Sequence, residues 1–213
     1  MTALQALNKG RRVAKGDHIF INGASSGVGI FAVQLAKSMG ARVTGACSTK
    51  NIELVRSLGA DVVIDYKKEE LKTQKNVGKY DKIIDIVGRF GWFQFLNSGG
   101  EIVSVALPKS EFIPCILCRI SFVSGCCFCL ASKKSHVFMQ KVNVEDLKKV
   151  GNMLVSGKLR AIFSRHVGIE AIPKLLAGNI QTNRIGHTAG KIVVLFDEES
   201  DETVFTETIV MHR

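Results

Sequence analysis

Proline is scarce in this chain, with three among 213 residues, and no polar low-complexity run interrupts it, so a disordered polymer is excluded. Tyrosine is scarcer still. Only Tyr66 and Tyr80 occur, and the residues four positions on are Glu70 and Ile84. A Tyr-x3-Lys pair, in which lysine lowers the tyrosine pKa for proton transfer, is therefore absent. There is no internal repeat. No basic segment followed by an apolar stretch precedes residue 20, an absence that points to an intracellular, cytoplasmic protein and leaves an organelle open. The formal net charge is +10, yet the positive residues are scattered or fall in short pairs such as Arg11-Arg12, Lys67-Lys68, Lys133-Lys134 and Lys148-Lys149. Aromatics do not interleave with them, which argues against nucleic acid and for a basic surface around an anionic site.

What is present is apolar. Hydrophobic residues make up 46% of the chain, enough for a sizeable core. Apolar runs alternate with stretches of helical periodicity, the pattern of an α/β, doubly wound parallel sheet with helices on both faces. Strands are predicted at 18–22, 42–47, 61–65, 82–87, 101–105 and 191–196, and helices near 2–9, 27–39, 50–58, 143–156 and 169–177. Asn143 caps the fourth helix, and Gly40, Gly59 and Gly157 sit where helices end. One domain is expected over 1–196, followed by an acidic tail, 197–213. Five of the six cysteines crowd into Cys115, Cys118, Cys126, Cys127 and Cys129 among apolar neighbours, where thiols act as small buried hydrophobes rather than metal ligands. The run 112–131 has the length of a membrane span, but Arg119 and Pro114 count against membrane contact.

The segment Ile19 to Lys37 reads as an apolar strand, a glycine-rich turn and an amphipathic helix. The turn, with Gly23, Gly27 and Gly29 spaced G-x3-G-x-G, brings backbone close to a diphosphate and points helix-start N–H groups at it. An NAD site places an acid about 20 residues past the first glycine. Here the second strand ends Cys47-Ser48-Thr49-Lys50, with no carboxylate before Glu53. Hydroxyls and a cation suit a 2′-phosphate, so NADP(H) is the expected cofactor; the alternative is that Ser48 and Thr49 only cap the next helix.

These segments together resemble the cofactor domain of the medium-chain dehydrogenase/reductases, in the zinc-independent quinone-reductase branch that includes zeta-crystallin. Leu58-Gly59-Ala60-Asp61 through Tyr66, Tyr80 through Gly88, Gly99-Gly100-Glu101-Ile102-Val103, and Gly186-His187-Thr188-Ala189-Gly190-Lys191 carry the likeness beyond the glycine turn. The resemblance implies that Ser25, Ser26, Gly27, Val28 and Gly29 hold the diphosphate. It implies that Cys47, Ser48 and Lys50 surround the adenosine phosphate and that Tyr66 lies against that phosphate or the adenine. Val87, Leu107 and His187 would line the rest of the cofactor, and a strand-end tyrosine or surface histidine is the plainer account of Tyr66 and His187. It further implies NADPH-dependent reduction of a quinone or enone, with no catalytic residue or metal assigned, and a homodimer paired through sheet edges. Two positions depart from the family: Asn51 stands where members place a lysine, and Ala189 where they place an arginine. The amino-terminal barrel-like domain of the family is absent, so this chain alone is expected to be weak or inert. The other reading is a non-catalytic NADP(H)-binding or interaction module. The glycine turn also resembles that of short-chain dehydrogenases, whose tyrosine–lysine pair is missing here.

Overall fold

The computed structural model describes residues 1–68, 79–88, 92–105, 133–168, 172 and 191–195. The predicted helix 169–177, the cysteine run, the acidic tail, Leu107 and His187 lie outside the described residues.

Six strands, β1 (His18–Asn22), β2 (Arg42–Cys47), β3 (Val62–Asp65), β4 (Tyr80–Asp85), β5 (Leu96–Ser104) and β6 (Lys134–Val137), form one sheet in the order β3-β2-β1-β4-β5-β6. Every pairing is parallel. This is the Rossmann-like order, with the direction in which strands are added to the sheet reversing between β1 and β4. The central strands are buried on both faces, which is why β1 carries the unbroken run Ile19-Phe20-Ile21 and β4 the pair Ile83-Ile84 rather than an alternating pattern. Lys191–Leu195, expected as a strand, pairs instead with Phe163–Gly168 in a separate two-stranded parallel sheet.

The helices are α1 (Thr2–Asn8), α2 (Gly29–Ser38), α3 (Ile52–Ser57, entered through a 3-10 turn over Thr49–Asn51) and α4 (Val144–Val155). Asn143 does cap α4: its side chain accepts from the Glu145 N–H at 2.9 Å. On one sheet face Ile19, Ile21, Val43, Ile84 and Val103 meet Leu4, Leu7, Ile30, Val33 and Val55 of α1, α2 and α3. Val150 and Met153 of α4 join the same layer. On the other face Phe20, Ala46, Ile64, Ile83 and Ile102 form a second layer, against which Tyr66, Phe93 and Phe95 pack. The strand alternation of Ile19, Phe20 and Ile21 distributes the side chains between these two layers.

The segment that leads into β1 is anchored by a buried lysine. Lys82, 1% exposed, donates from Nζ to the carbonyls of Leu7 at 3.0 Å and Lys9 at 2.8 Å, and to that of Arg11. These carbonyls include ones that the end of α1 leaves without helical partners. Its register neighbour Glu101 accepts from the Arg11 N–H at 2.7 Å. Gly10, at φ +67°, lies against that carboxylate; a Cβ there would stand 2.1 Å from Glu101 Oε2. Burial pushes the Lys82 ammonium down to about 8, with Glu101 opposing. The unfolded chain holds this proton to about pH 10.4, so the lysine's contribution to stability rises as pH rises through that window. Lys82→Met is expected to destabilise the fold by about 3 kcal/mol, because it strands buried acceptors. Denaturant unfolding should show the gap between native and variant widening between pH 8 and about pH 10; a constant gap would contradict the buried ammonium.

Candidate functional site

At the carboxyl edge of the sheet, β1 ends at Asn22 and the chain turns through Gly23–Val28 into α2. The turn hangs from the end of β2: the N–H groups of Gly23 and Ala24 both donate to the Ala46 carbonyl, at 3.2 and 2.9 Å. Ser26 closes the first turn of the helix, its N–H donating to Gly23 O at 3.0 Å and its Oγ accepting from Gly29 N at 3.1 Å. Ile30 N donates to Ser26 O. The amides of Gly23 and Ala24 are thus engaged by β2, and those of Ser26, Gly29 and Ile30 within the turn. Those of Ser25, Gly27 and Val28 have no acceptor among the described residues, and they stand at the positive end of a ten-residue helix.

Gly29 makes this closure possible. A Cβ on it would lie 2.1 Å from the Gly23 carbonyl oxygen and 2.7 Å from the Ala24 carbonyl carbon. No side chain fits, and backbone cannot yield as a flexible side chain would. The contact brings helix and strand end together, the packing role of the last glycine in such turns.

The crevice at the reversal point is stitched by Asn22 and Asp85. Asn22 Nδ2 donates to Asp85 Oδ1 at 2.8 Å, and the same oxygen accepts from Val87 N and Gly88 N at 3.1 Å. This fixes the turn after β4. Val87 is left half exposed beside Gly23, where its Cγ2 would be 2.9 Å from an added Cβ.

At the end of β2, Ser48 is buried and Lys50 exposed. Cys47 is 1% exposed, and its side chain belongs to the apolar layer under α3. Burial, and then Asp65, push its thiol up to about 11, which makes it a packing group rather than a reactive one. Its carbonyl accepts from Tyr66 N at 3.2 Å, and Tyr66 lies half buried beside the second core layer.

Two residues here escaped the sequence reading as site groups. Asp65, in register with Cys47 on the adjoining strand, brings a carboxylate to this edge. A hydrogen bond from the Thr49 side chain holds it below the usual carboxylate range, burial opposing and the Lys67 N–H assisting. Its Oδ2 is buried without a partner among the described residues. Asn51, 8% exposed, donates from Nδ2 to Ser25 Oγ at 2.9 Å and to Ser48 Oγ at 3.3 Å. It joins the glycine turn to the end of β2. Sequence showed the absent lysine at Asn51 but not this bridge, which links positions 26 residues apart.

Gly29→Ala is expected to lower stability by about 3 kcal/mol, an overpacking cost against backbone, and to pull α2 away from Gly23. Thermal unfolding checks this; a native-like midpoint would mean that the turn relaxes freely.

The family pattern described as zinc-binding dehydrogenase matches residues 27–137. A trans-enoyl reductase of Aspergillus terreus, pgmF, is 35% identical over 93% of this chain and 57% of its own length. The mitochondrial NAD(P)H oxidoreductase RTN4IP1 of Bos taurus is 32% identical over 91% of this chain and 52% of its own. The solved structure of the quinone oxidoreductase from Coxiella burnetii superposes with a TM-score of 0.75 at 29% identity, covering 92% of this chain and 57% of that one. The chain thus spans somewhat over half the length of these relatives. Among the described residues no group of three or more His, Cys, Asp or Glu side chains is placed to hold a metal ion, and no helix is long and apolar enough to cross a membrane. By its matched sequence and its Rossmann-like sheet, the chain belongs to the zinc-binding dehydrogenase family, within the medium-chain dehydrogenase/reductases.

Proposed function

We propose that this chain is the NADP(H)-holding part of a quinone or enone reductase. The observation that carries the reading is the set of uncommitted N–H groups of Ser25, Gly27 and Val28 at the start of α2, beside the point where strand order reverses. The cradle fits the group: Gly29 admits no side chain, and the loop's other amides are already satisfied. In this reading the three amides bind the diphosphate. Ser48 and Lys50 take the adenosine phosphate, Tyr66 lies beside it, and Val87 walls the crevice toward the nicotinamide. Cys47 contributes through packing beneath the site. When bound, the dinucleotide supplies hydride to an electrophilic carbon conjugated to a carbonyl. The protein's part is to orient it and to exclude water. The names of the relatives, trans-enoyl reductase and quinone oxidoreductase, support that substrate class.

A homodimer belongs to the proposal. β6 forms one edge of the sheet, and Val137, at 50% exposure, with Met139 and Val142 just beyond it, leaves an apolar strip there.

A second reading, NAD(H), has one observation in its favour. The unpartnered Oδ2 of Asp65 is an acceptor at the strand end where a ribose hydroxyl would donate. Titration of the purified chain with NADPH and NADH, followed by nicotinamide fluorescence, separates the two. Saturable binding with NADPH preferred by about tenfold, the worth of one charge-assisted hydrogen bond, is the expected result. Tighter NADH would favour Asp65 as ribose acceptor. Slow oxidation of bound NADPH by quinones or enones is expected. Binding with no oxidation at all would favour a non-catalytic module, and binding of neither dinucleotide would overturn the proposal.

A further inference from the structure

Asn51 has a geometry that packing alone does not require. Its side-chain nitrogen lies 2.9 Å from Ser25 Oγ in the glycine turn and 3.3 Å from Ser48 Oγ at the end of β2. A primary amide nitrogen carries two protons and accepts nothing, so each serine oxygen can take one of them. The backbone holds the arrangement, since Asn51 N donates to Ser48 O at 2.9 Å and the side chain is 8% exposed.

The consequence lies in the direction of the hydroxyl protons. A hydroxyl has one proton and two lone pairs. Once its oxygen accepts from Asn51, its own proton is left for an acceptor elsewhere. Phosphate oxygens only accept. We propose that Asn51 is a positioning residue that holds the Ser25 and Ser48 hydroxyls as donors to the anionic groups of the dinucleotide, and so couples the diphosphate loop to the adenosine end of the site. The inference rests on the dinucleotide reading above and adds a residue and a role to it. A lysine here would bring a charge to the ligand directly. Asn51 acts through two neutral hydroxyls and leaves the site's charge to Lys50 and the backbone.

The full chain and four variants test this: Asn51→Ala, Asn51→Asp, the double variant Ser25→Ala/Ser48→Ala, and the triple variant joining Asn51→Ala to that pair. Dissociation constants for NADPH are measured below each variant's unfolding midpoint. Asn51→Ala is expected to weaken NADPH about tenfold by freeing the hydroxyls to turn. Asn51→Asp keeps the shape but accepts from both hydroxyls and adds a negative charge, so a loss of about a hundredfold is expected. This near-isosteric variant also serves if Asn51→Ala fails to fold. Because Asn51 acts through the serines, the triple variant should bind no worse than the double. A merely structural asparagine would lower the unfolding midpoint and leave this non-additivity absent. Losses that simply add in the triple variant would overturn the proposal, as would binding by Asn51→Asp within about twofold of the native chain. A native chain that binds no dinucleotide would overturn the parent reading and this inference with it. Native binding that ignores Asn51 would overturn this inference alone.

Discussion

The site depends on one close approach, that of Gly29 to the carbonyl of Gly23. A Cβ at Gly29 would stand 2.1 Å from that oxygen, so helix and strand end meet across a gap only a hydrogen can occupy. The contact lets Ala46 O collect two loop amides and lets Ser26 satisfy the first turn of α2 from within. The amides that remain uncommitted, those of Ser25, Gly27 and Val28, lie between Ala24 and the start of α2. Anion affinity at such a turn comes from backbone dipoles aligned before any ligand arrives, and the alignment here is set by sterics.

Much of this was legible in sequence because it is local. β1 follows from the apolar run Ile19-Phe20-Ile21, β2 lies between the glycine that ends α2 and the polar Ser48-Thr49-Lys50, and Asn143 announced α4 by cap chemistry. Other elements were hidden for identifiable reasons. β5 begins at Leu96, ahead of a Gly99-Gly100 pair that reads as a turn, and Gly99 does take a positive φ of 76° inside the strand. β6 and the strand Phe163–Gly168 carry serine, histidine and basic residues and lack the apolar signature of a buried strand. The roles of Asn51 and Asp65 exist only because β2, β3 and the glycine turn converge at one edge of the sheet. Sequence spacing carries no trace of that convergence.

The two ends of the sheet divide the chemistry. The carboxyl edge leaves the amides of Ser25, Gly27 and Val28 without acceptors among the described residues. The opposite end gathers its charges inward, with Lys82 facing three carbonyls and Glu101 holding the Arg11 amide. A carboxylate shared among amides, or an ammonium among carbonyls, secures chain geometry but offers nothing to a ligand. The anchoring end is therefore polar and saturated, while the glycine turn keeps amides without acceptors among the described residues.

The Lys82 anchor bears on the order in which the chain assembles. α1 is seven residues long, too short to hold its shape alone in water. The tie of its Leu7 to Lys82, and that of Arg11 in the segment after it to Glu101, span 75 and 90 positions of sequence. Those ties are long-range closures, made only when β4 and β5 are in place, whereas the packing of α1 on α2 is close in sequence.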